Sequence, residues 1–197
     1  PQFDMEKVAD KTKRTPRWIH FGAGNIFRAF QANVVQRLLN EGIIEEGLIV
    51  AEGYDYEIID KLYDPHDNMG ILVTLKADGS VEKSVIGSIM ESLRVDPDNQ
   101  ADYTRLKEIF RNPSLQMVTF TITEKGYSLV NGRGEILSNV SADLQNGPQS
   151  ATSYIGKVTA LLYERYLVGK YPIAMVSMDN CSHNGDKLYS AIKTFAE

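Results

Sequence analysis

Apolar and polar residues along this chain switch repeatedly between a strand-like and a helix-like period. Trp18 to Phe21, within RWIHFGAGNIF, is a short apolar run ending in glycines, which predicts a buried strand feeding a turn. Ile26, Phe27, Phe30, Val34, Val35, Leu38 and Leu39 then recur at helical spacing, as the core-facing stripe of a helix does. Gly42 and Gly47 interrupt the stripe, and Leu48 to Ala51 predicts a second buried strand. Strand, glycine turn, helix and strand within roughly 35 residues have the size of a βαβ unit.

Further along, Ile71 to Leu75 and Val81 to Gly87 flank Asp78-Gly79, a strong hairpin signal that predicts an antiparallel insertion. Tyr103, Leu106, Ile109 and Phe110 mark a helix, and Met117 to Thr123 a strand. A turn-rich loop follows, with a second short hairpin expected around Asn131-Gly132. Tyr154 to Arg165 predicts a longer helix, Ile173 to Met178 a strand, and Asp186 to Glu197 a closing helix. The alternation predicts an α/β fold over one domain, residues 1–197: a Rossmann-type, doubly wound, mostly parallel sheet with an inserted antiparallel hairpin.

Composition narrows the function classes. Hydrophobic residues are 43% and charged residues 24%, which excludes a disordered or collagen-like chain. With 21 Lys plus Arg against 26 Asp plus Glu, the formal charge is −5, and no basic run is present, which argues against nucleic acid as a partner. No apolar window approaches the ~20 residues of a membrane span. The first residues lack the apolar core of a secretory signal. Cys181 stands alone, which rules out an internal disulfide and fits a reducing cytoplasm. Pro1 in place of methionine, and a final segment still reading as an amphipathic helix, lead us to expect a piece of something longer.

Candidate chemistry collects at four strand ends, which fall into three groups. In Gly22-Ala23-Gly24-Asn25-Ile26-Phe27-Arg28, Gly22 permits the tight turn and Gly24 lets a pyrophosphate approach the backbone. The amides of Asn25 and Ile26 open the following helix, whose dipole favours an anion there, and Arg28 can add charge. Phe27 stands where the dinucleotide fingerprint has its third glycine. At the second strand end, Glu52 or Asp55 is a candidate acceptor for a ribose diol; either would repel a 2′-phosphate and so favour NAD over NADP. The third group comprises Thr121 to Tyr127 and Ser177 to Gly185, two polar strand ends of the kind where ligands bind in open α/β sheets. Asn180 is placed to donate to a carbonyl oxygen gaining charge during hydride transfer, whereas Asp179 and Asn184 read as residues that orient the loop or cap the last helix. His20, His66 and His183 form no metal-ligand spacing, Ser177 lacks a hydrolase elbow, and Lys125 beside Glu124 reads as an ion pair.

HFGAGNIFRAFQA, VIGSIMESL, TFTITEKGY and VSMDNCSHNG, in that order and spacing, resemble the mannitol dehydrogenase family of polyol-specific long-chain dehydrogenases from Arg17 onward. The resemblance implies a Rossmann-type domain that binds NAD, with NADP open, followed by a mostly helical domain. It matches Gly22, Gly24 and Arg28 to the pyrophosphate turn, Thr123 and Glu124 to the strand end beside the nicotinamide, and Asn180 to the asparagine polarising the substrate oxygen. Ile26-Phe27 and Phe30 depart from the Phe-His and His frequent in mannitol 2-dehydrogenases, which favours a fructuronate or tagaturonate reductase. The family's proton-transfer lysine lies in a Lys-x5-Asn-x2-His motif; Asn180 and His183 mimic its tail, but Ala174 stands at the lysine position. The acid/base group and most of the substrate pocket are therefore expected beyond Glu197, and the chain by itself is expected to bind cofactor with little or no turnover. The rival classes are a dinucleotide-sensing module without catalysis and a methyltransferase-like α/β domain.

Overall fold

The computed structural model describes residues 1–197. In chain order its elements are α1 (Met5–Arg14), β1 (Trp18–Phe21), α2 (Ala32–Asn40), β2 (Leu48–Glu52), β3 (Gly70–Leu75), β4 (Val81–Ile86), β5 (Ile89–Arg94), α3 (Gln100–Arg111), β6 (Met117–Phe120), α4 (Thr123–Gly126), α5 (Ser138–Asn146), α6 (Tyr154–Val168), β7 (Ala174–Ser177) and α7 (Asn184–Ala196). Five strands form a mostly parallel sheet of order β5-β2-β1-β6-β7, and β3 pairs only with β4. This is the α/β architecture that the strand and helix alternation predicts. The chain divides into two compact units, Pro1–Arg94 and Val95–Glu197.

In the first unit β1 runs parallel to β2, in the register Ile19 with Ile49 and Phe21 with Ala51, and β2 runs parallel to β5. Every residue of β2 is buried, as a parallel strand covered on both faces requires. Phe27, Val35, Leu39, Leu48, Val50 and Ile59 form the core against them. The predicted hairpin is present: β3 and β4 pair antiparallel around Gly79, whose φ is 83°. Asp78 braces that turn, its carboxylate accepting from the Ser80 amide at 2.9 Å. Two elements are additions to the sequence reading. The helix α1 buries only Val8 and Thr12, and the Thr12 hydroxyl accepts from the Gly47 amide at 2.8 Å, fixing the entry to β2. The strand β5 (IMESLR) is the edge partner of β2, and its few apolar positions gave no strand signal.

The second unit has β6 and β7 paired in parallel from Met117 with Ala174 to Phe120 with Ser177. The helices α3, α6 and α7 pack as neighbours along the chain of contacts α3 to α6 to α7. The strand predicted over Met117 to Thr123 stops at Phe120, and Thr123 begins the short helix α4. The expected hairpin near Asn131 is reduced to a single bridge between Val130 and Ile136. Arg165, 2% exposed, donates to the carbonyls of Phe110, Asn112, Leu115, Tyr171 and Pro172, so one guanidinium closes the connections entering β6 and β7. No helix is long and apolar enough to cross a membrane.

Candidate functional site

The glycine turn of the first unit leaves β1 through Gly22, whose φ of 112° is open to glycine and costly for other residues. The Gly22 amide donates to the Ala51 carbonyl at 2.8 Å and the Ala23 amide to Glu52 Oε2 at 2.8 Å. The Ala23 carbonyl in turn accepts from the Tyr63 hydroxyl at 2.8 Å. These two amides are engaged with protein and are not available to a ligand. The candidate cradle starts at Gly24. The first helical bond runs from the Arg28 amide to the Gly24 carbonyl at 3.2 Å, leaving the amides of Gly24, Asn25 and Ile26 without a carbonyl partner at a helix N-terminus. A Cβ built on Gly24 meets nothing within 4 Å, so the space above it is open.

From Phe27 to Gln31 the helix widens to i, i+5 bonding before continuing as α2, a distortion common at functional sites. It buries Phe27 against His20, their rings stacked with centroids 4.5 Å apart. Burial holds the His20 imidazole neutral, pushing its pKa down to about 3. Arg28 donates to Asn25 Oδ1, while its Nε is buried without an acceptor. Asn25 and Arg28 also border a cavity of about 890 Å³ whose other walls include Tyr63, Asn68, Leu72 and Ile86. Burial raises the Tyr63 phenol well above the ordinary tyrosine range, so it stays a hydrogen-bond donor to Ala23.

The two acidic candidates after β2 are separated by their surroundings. Glu52 is 7% exposed, and its carboxylate accepts from Ala23, Gly53, Tyr54 and Asp55 amides at 2.8, 2.9, 2.8 and 3.3 Å. It is the internal anchor that ties the two loops together, and its acceptor capacity is used. Asp55 is exposed, and no donor of the protein is bonded to its carboxylate. Of the pair, Asp55 is the one free to accept from a ligand.

In the second unit Asp179 organises the strand ends. Its Oδ1 accepts from the Thr123 amide at 2.9 Å and its Oδ2 from the Ile122 amide at 3.0 Å and from the Tyr127 hydroxyl. Tyr127 also meets Ser177 Oγ at 2.8 Å. Burial first, and the hydrogen bond to Asp179 second, raise the Tyr127 phenol far above its ordinary value. Asn184 donates to the carbonyls of Asp179 at 2.9 Å and Ser177 at 3.3 Å. Asp179 and Asn184 thus orient the loop, as their positions in the sequence imply. Thr123 sits at φ 63°, a left-handed backbone that a β-branched residue rarely takes. Asn180 is exposed and its side chain has no partner in the protein. Glu124 pairs with Lys187 and not with its neighbour Lys125. His183 is 81% exposed at its side chain and lies 3.4 Å from Asp186. The roles of Tyr63 and Tyr127 escaped the sequence reading; each hydroxyl meets a partner some 40 to 52 residues away, which nothing local in the sequence shows.

Comparison with known proteins agrees with this geometry. A D-mannonate oxidoreductase of Thermotoga maritima is 52% identical over 197 residues, covering all of this chain and 36% of the relative. A polyol:NADP oxidoreductase of Gluconobacter oxydans is 28% identical over all of this chain and 39% of its own. Among solved structures, the Pseudomonas fluorescens mannitol 2-dehydrogenase in ternary complex with NAD and D-mannitol superposes with a TM-score of 0.80 at 27% identity, over all of this chain and 39% of that one. A D-sorbitol dehydrogenase in substrate-free form gives the same TM-score at 26% identity. The chain therefore spans somewhat over a third of the length of the relatives it matches. The family model described as the mannitol dehydrogenase Rossmann domain matches residues 16–197, and the chain belongs to that family.

Proposed function

We propose that residues 1–197 act as the dinucleotide-binding domain of an NAD(P)-dependent oxidoreductase that interconverts a secondary alcohol of a sugar acid or polyol with its ketone, in a cytoplasmic setting. The observation that carries this reading is the open helix N-terminus at Gly24, Asn25 and Ile26, set between two parallel strands. Three unpartnered amides and the positive end of the helix dipole are a diphosphate site. Arg28 adds charge and a buried donor without an acceptor. Asp55 accepts from the ribose diol and its charge repels a 2′-phosphate, which makes NAD(H) the preferred cofactor. These donors and acceptors fit the group that the family implies.

When bound, the nicotinamide supplies the hydride acceptor for alcohol oxidation and the donor for ketone reduction. The chain's own residues bind, orient and polarise. Thr123 and Glu124 stand at the strand end assigned to the reactive half, and Asn180 offers its free amide to the substrate oxygen as charge develops on it. Proton exchange belongs to a lysine outside these residues. The 52% identity to a D-mannonate oxidoreductase, with the departures at Ile26, Phe27 and Phe30, supports a hexuronate reductase of the fructuronate or tagaturonate type. The likeness to mannitol 2-dehydrogenase supports the polyol alternative.

Titration with NADH, followed by fluorescence enhancement, tests the reading. Saturable binding tighter than that of NADPH is the expected result. Selective binding of S-adenosylmethionine, or no dinucleotide binding at all, would overturn it. Substrate class is decided by adding fructuronate, tagaturonate or fructose, with NADH, to the protein carried to the length of its relatives.

A further inference from the structure

We propose that Asp179 is a positioning residue for the reactive half of the dinucleotide, holding Thr123 in a left-handed backbone conformation that presents its side chain to that half alone. The inference rests on the dinucleotide reading above and assigns one residue within it.

In a sheet assembled from two mononucleotide-binding halves, each half takes one nucleotide beyond the carboxyl ends of its strands. The strands β6 and β7 belong to the second unit, and Asp179 lies just past the end of β7. A threonine at φ 63° is strained, and such a conformation persists only when its surroundings over-determine it. Here the restraint is explicit. One carboxylate accepts from the Ile122 and Thr123 amides at 3.0 and 2.9 Å, so both peptide groups at the strand exit are fixed by the same side chain. The carboxylate is itself fixed, because Tyr127 donates to it, Ser177 meets Tyr127 at 2.8 Å, and Asn184 grips the Asp179 carbonyl at 2.9 Å. Strain of this kind has no folding benefit at a strand end where glycine would serve. It does serve to aim a side chain. The neighbouring Asn180, with its amide unpartnered, is set by the same anchored loop.

The asparagine variant Asp179→Asn keeps the size of the side chain but offers one acceptor oxygen where two amides and a phenol need three bonds. The test compares NADH with ADP-ribose, which keeps the adenosine diphosphate and lacks the nicotinamide. Both ligands bind the unsubstituted chain; in Asp179→Asn the NADH dissociation constant rises tenfold or more while that of ADP-ribose changes less than twofold. A second variant, Thr123→Gly, adopts φ 63° without strain and so keeps the fold while giving up the fixed side chain. It shows the same selective loss with an unchanged or raised Tm. Equal weakening of both ligands in Asp179→Asn, or an unchanged NADH to ADP-ribose ratio in Thr123→Gly, would overturn the assignment to Asp179. Failure of the unsubstituted chain to bind either ligand would instead overturn the dinucleotide reading, and the assignment with it.

Discussion

Four backbone amides converge on the Glu52 carboxylate, whereas Asp55 faces solvent with no protein donor. Glu52→Gln replaces two acceptor oxygens by one and points an amide at N–H groups. Because charge-assisted bonds to a buried group are lost, urea unfolding should show a cost of about 1–3 kcal/mol. Asp55→Ala removes an exposed side chain, so stability should stay within about 0.5 kcal/mol, while NADH affinity should fall about tenfold, the ~1.4 kcal/mol expected of a hydrogen bond to a charged group. If Glu52→Gln weakens NADH without destabilising the chain, the two roles are reversed. The sequence puts Glu52 at the end of β2 and Asp55 three residues on but does not separate their roles, since direction is set by the loop and not by spacing. His20 gives a prediction in pH. Its folded pKa of about 3 lies below the ordinary 6.5, so folding excludes a proton that the unfolded chain binds. Its contribution is therefore complete above pH 6.5 and is lost as the pH falls toward 3. Between pH 6 and 4 the stability of the unsubstituted chain should decline more steeply than that of His20→Gln, by on the order of 1.4 kcal/mol per pH unit.

The helix α6 shows how packing overrides local preference. Its N-cap Ser153 accepts from the Gly156 amide at 3.2 Å, and the buried Asp143 carboxylate holds the Ser153 and Thr152 amides at 2.7 and 2.9 Å. Helix propensity alone says that Gly156→Ala should stabilise by about 1 kcal/mol. A Cβ there, however, would stand 2.4 Å from Asp143 Oδ2 and 2.6 Å from Ser153 Oγ. Both atoms are pinned by hydrogen bonds, so the overlap wins, and thermal unfolding should show a net loss of roughly 1–3 kcal/mol. Elements with strong apolar periodicity, α2, α6, β1 and β2, were legible in the sequence because their buried faces are apolar, and the largely exposed β3–β4 hairpin was legible through its Asp78-Gly79 turn. Those missed carry buried or partnered polar groups: α1 is fixed through the Thr12 hydroxyl, β5 presents Glu91, Ser92 and Arg94 beside its apolar positions, and α5, which the sequence reads as loop, buries Asp143. The early end of β6 has the same origin, because Asp179 takes the Ile122 and Thr123 amides out of strand pairing. Polar anchors of this kind depend on partners some 57 residues away and leave no periodic trace.

At the scale of the whole molecule, the residues proposed to meet a dinucleotide fall in two compact units, and the response of each unit to a ligand can be followed by itself. The proposed diphosphate cradle at Gly24 to Ile26 and the proposed ribose acceptor Asp55 lie in the first unit; Thr123, Glu124 and Asn180 lie in the second. A ligand that binds only the folded state stabilises it by mass action, about 2.7 kcal/mol at a concentration 100 times its dissociation constant, but amide exchange reports where the contacts fall. ADP at saturation should slow exchange at Gly24, Asn25 and Ile26 and leave the amides from Lys125 to Ser128 unchanged. NADH at the same occupancy should slow both sets, as the proposed roles of Thr123, Glu124 and Asn180 require. The Ile122 and Thr123 amides make a control, being bonded to Asp179 before any ligand arrives and so already slow. Protection by ADP confined to the second unit, or protection by NADH confined to the first, would overturn the roles proposed for those residues.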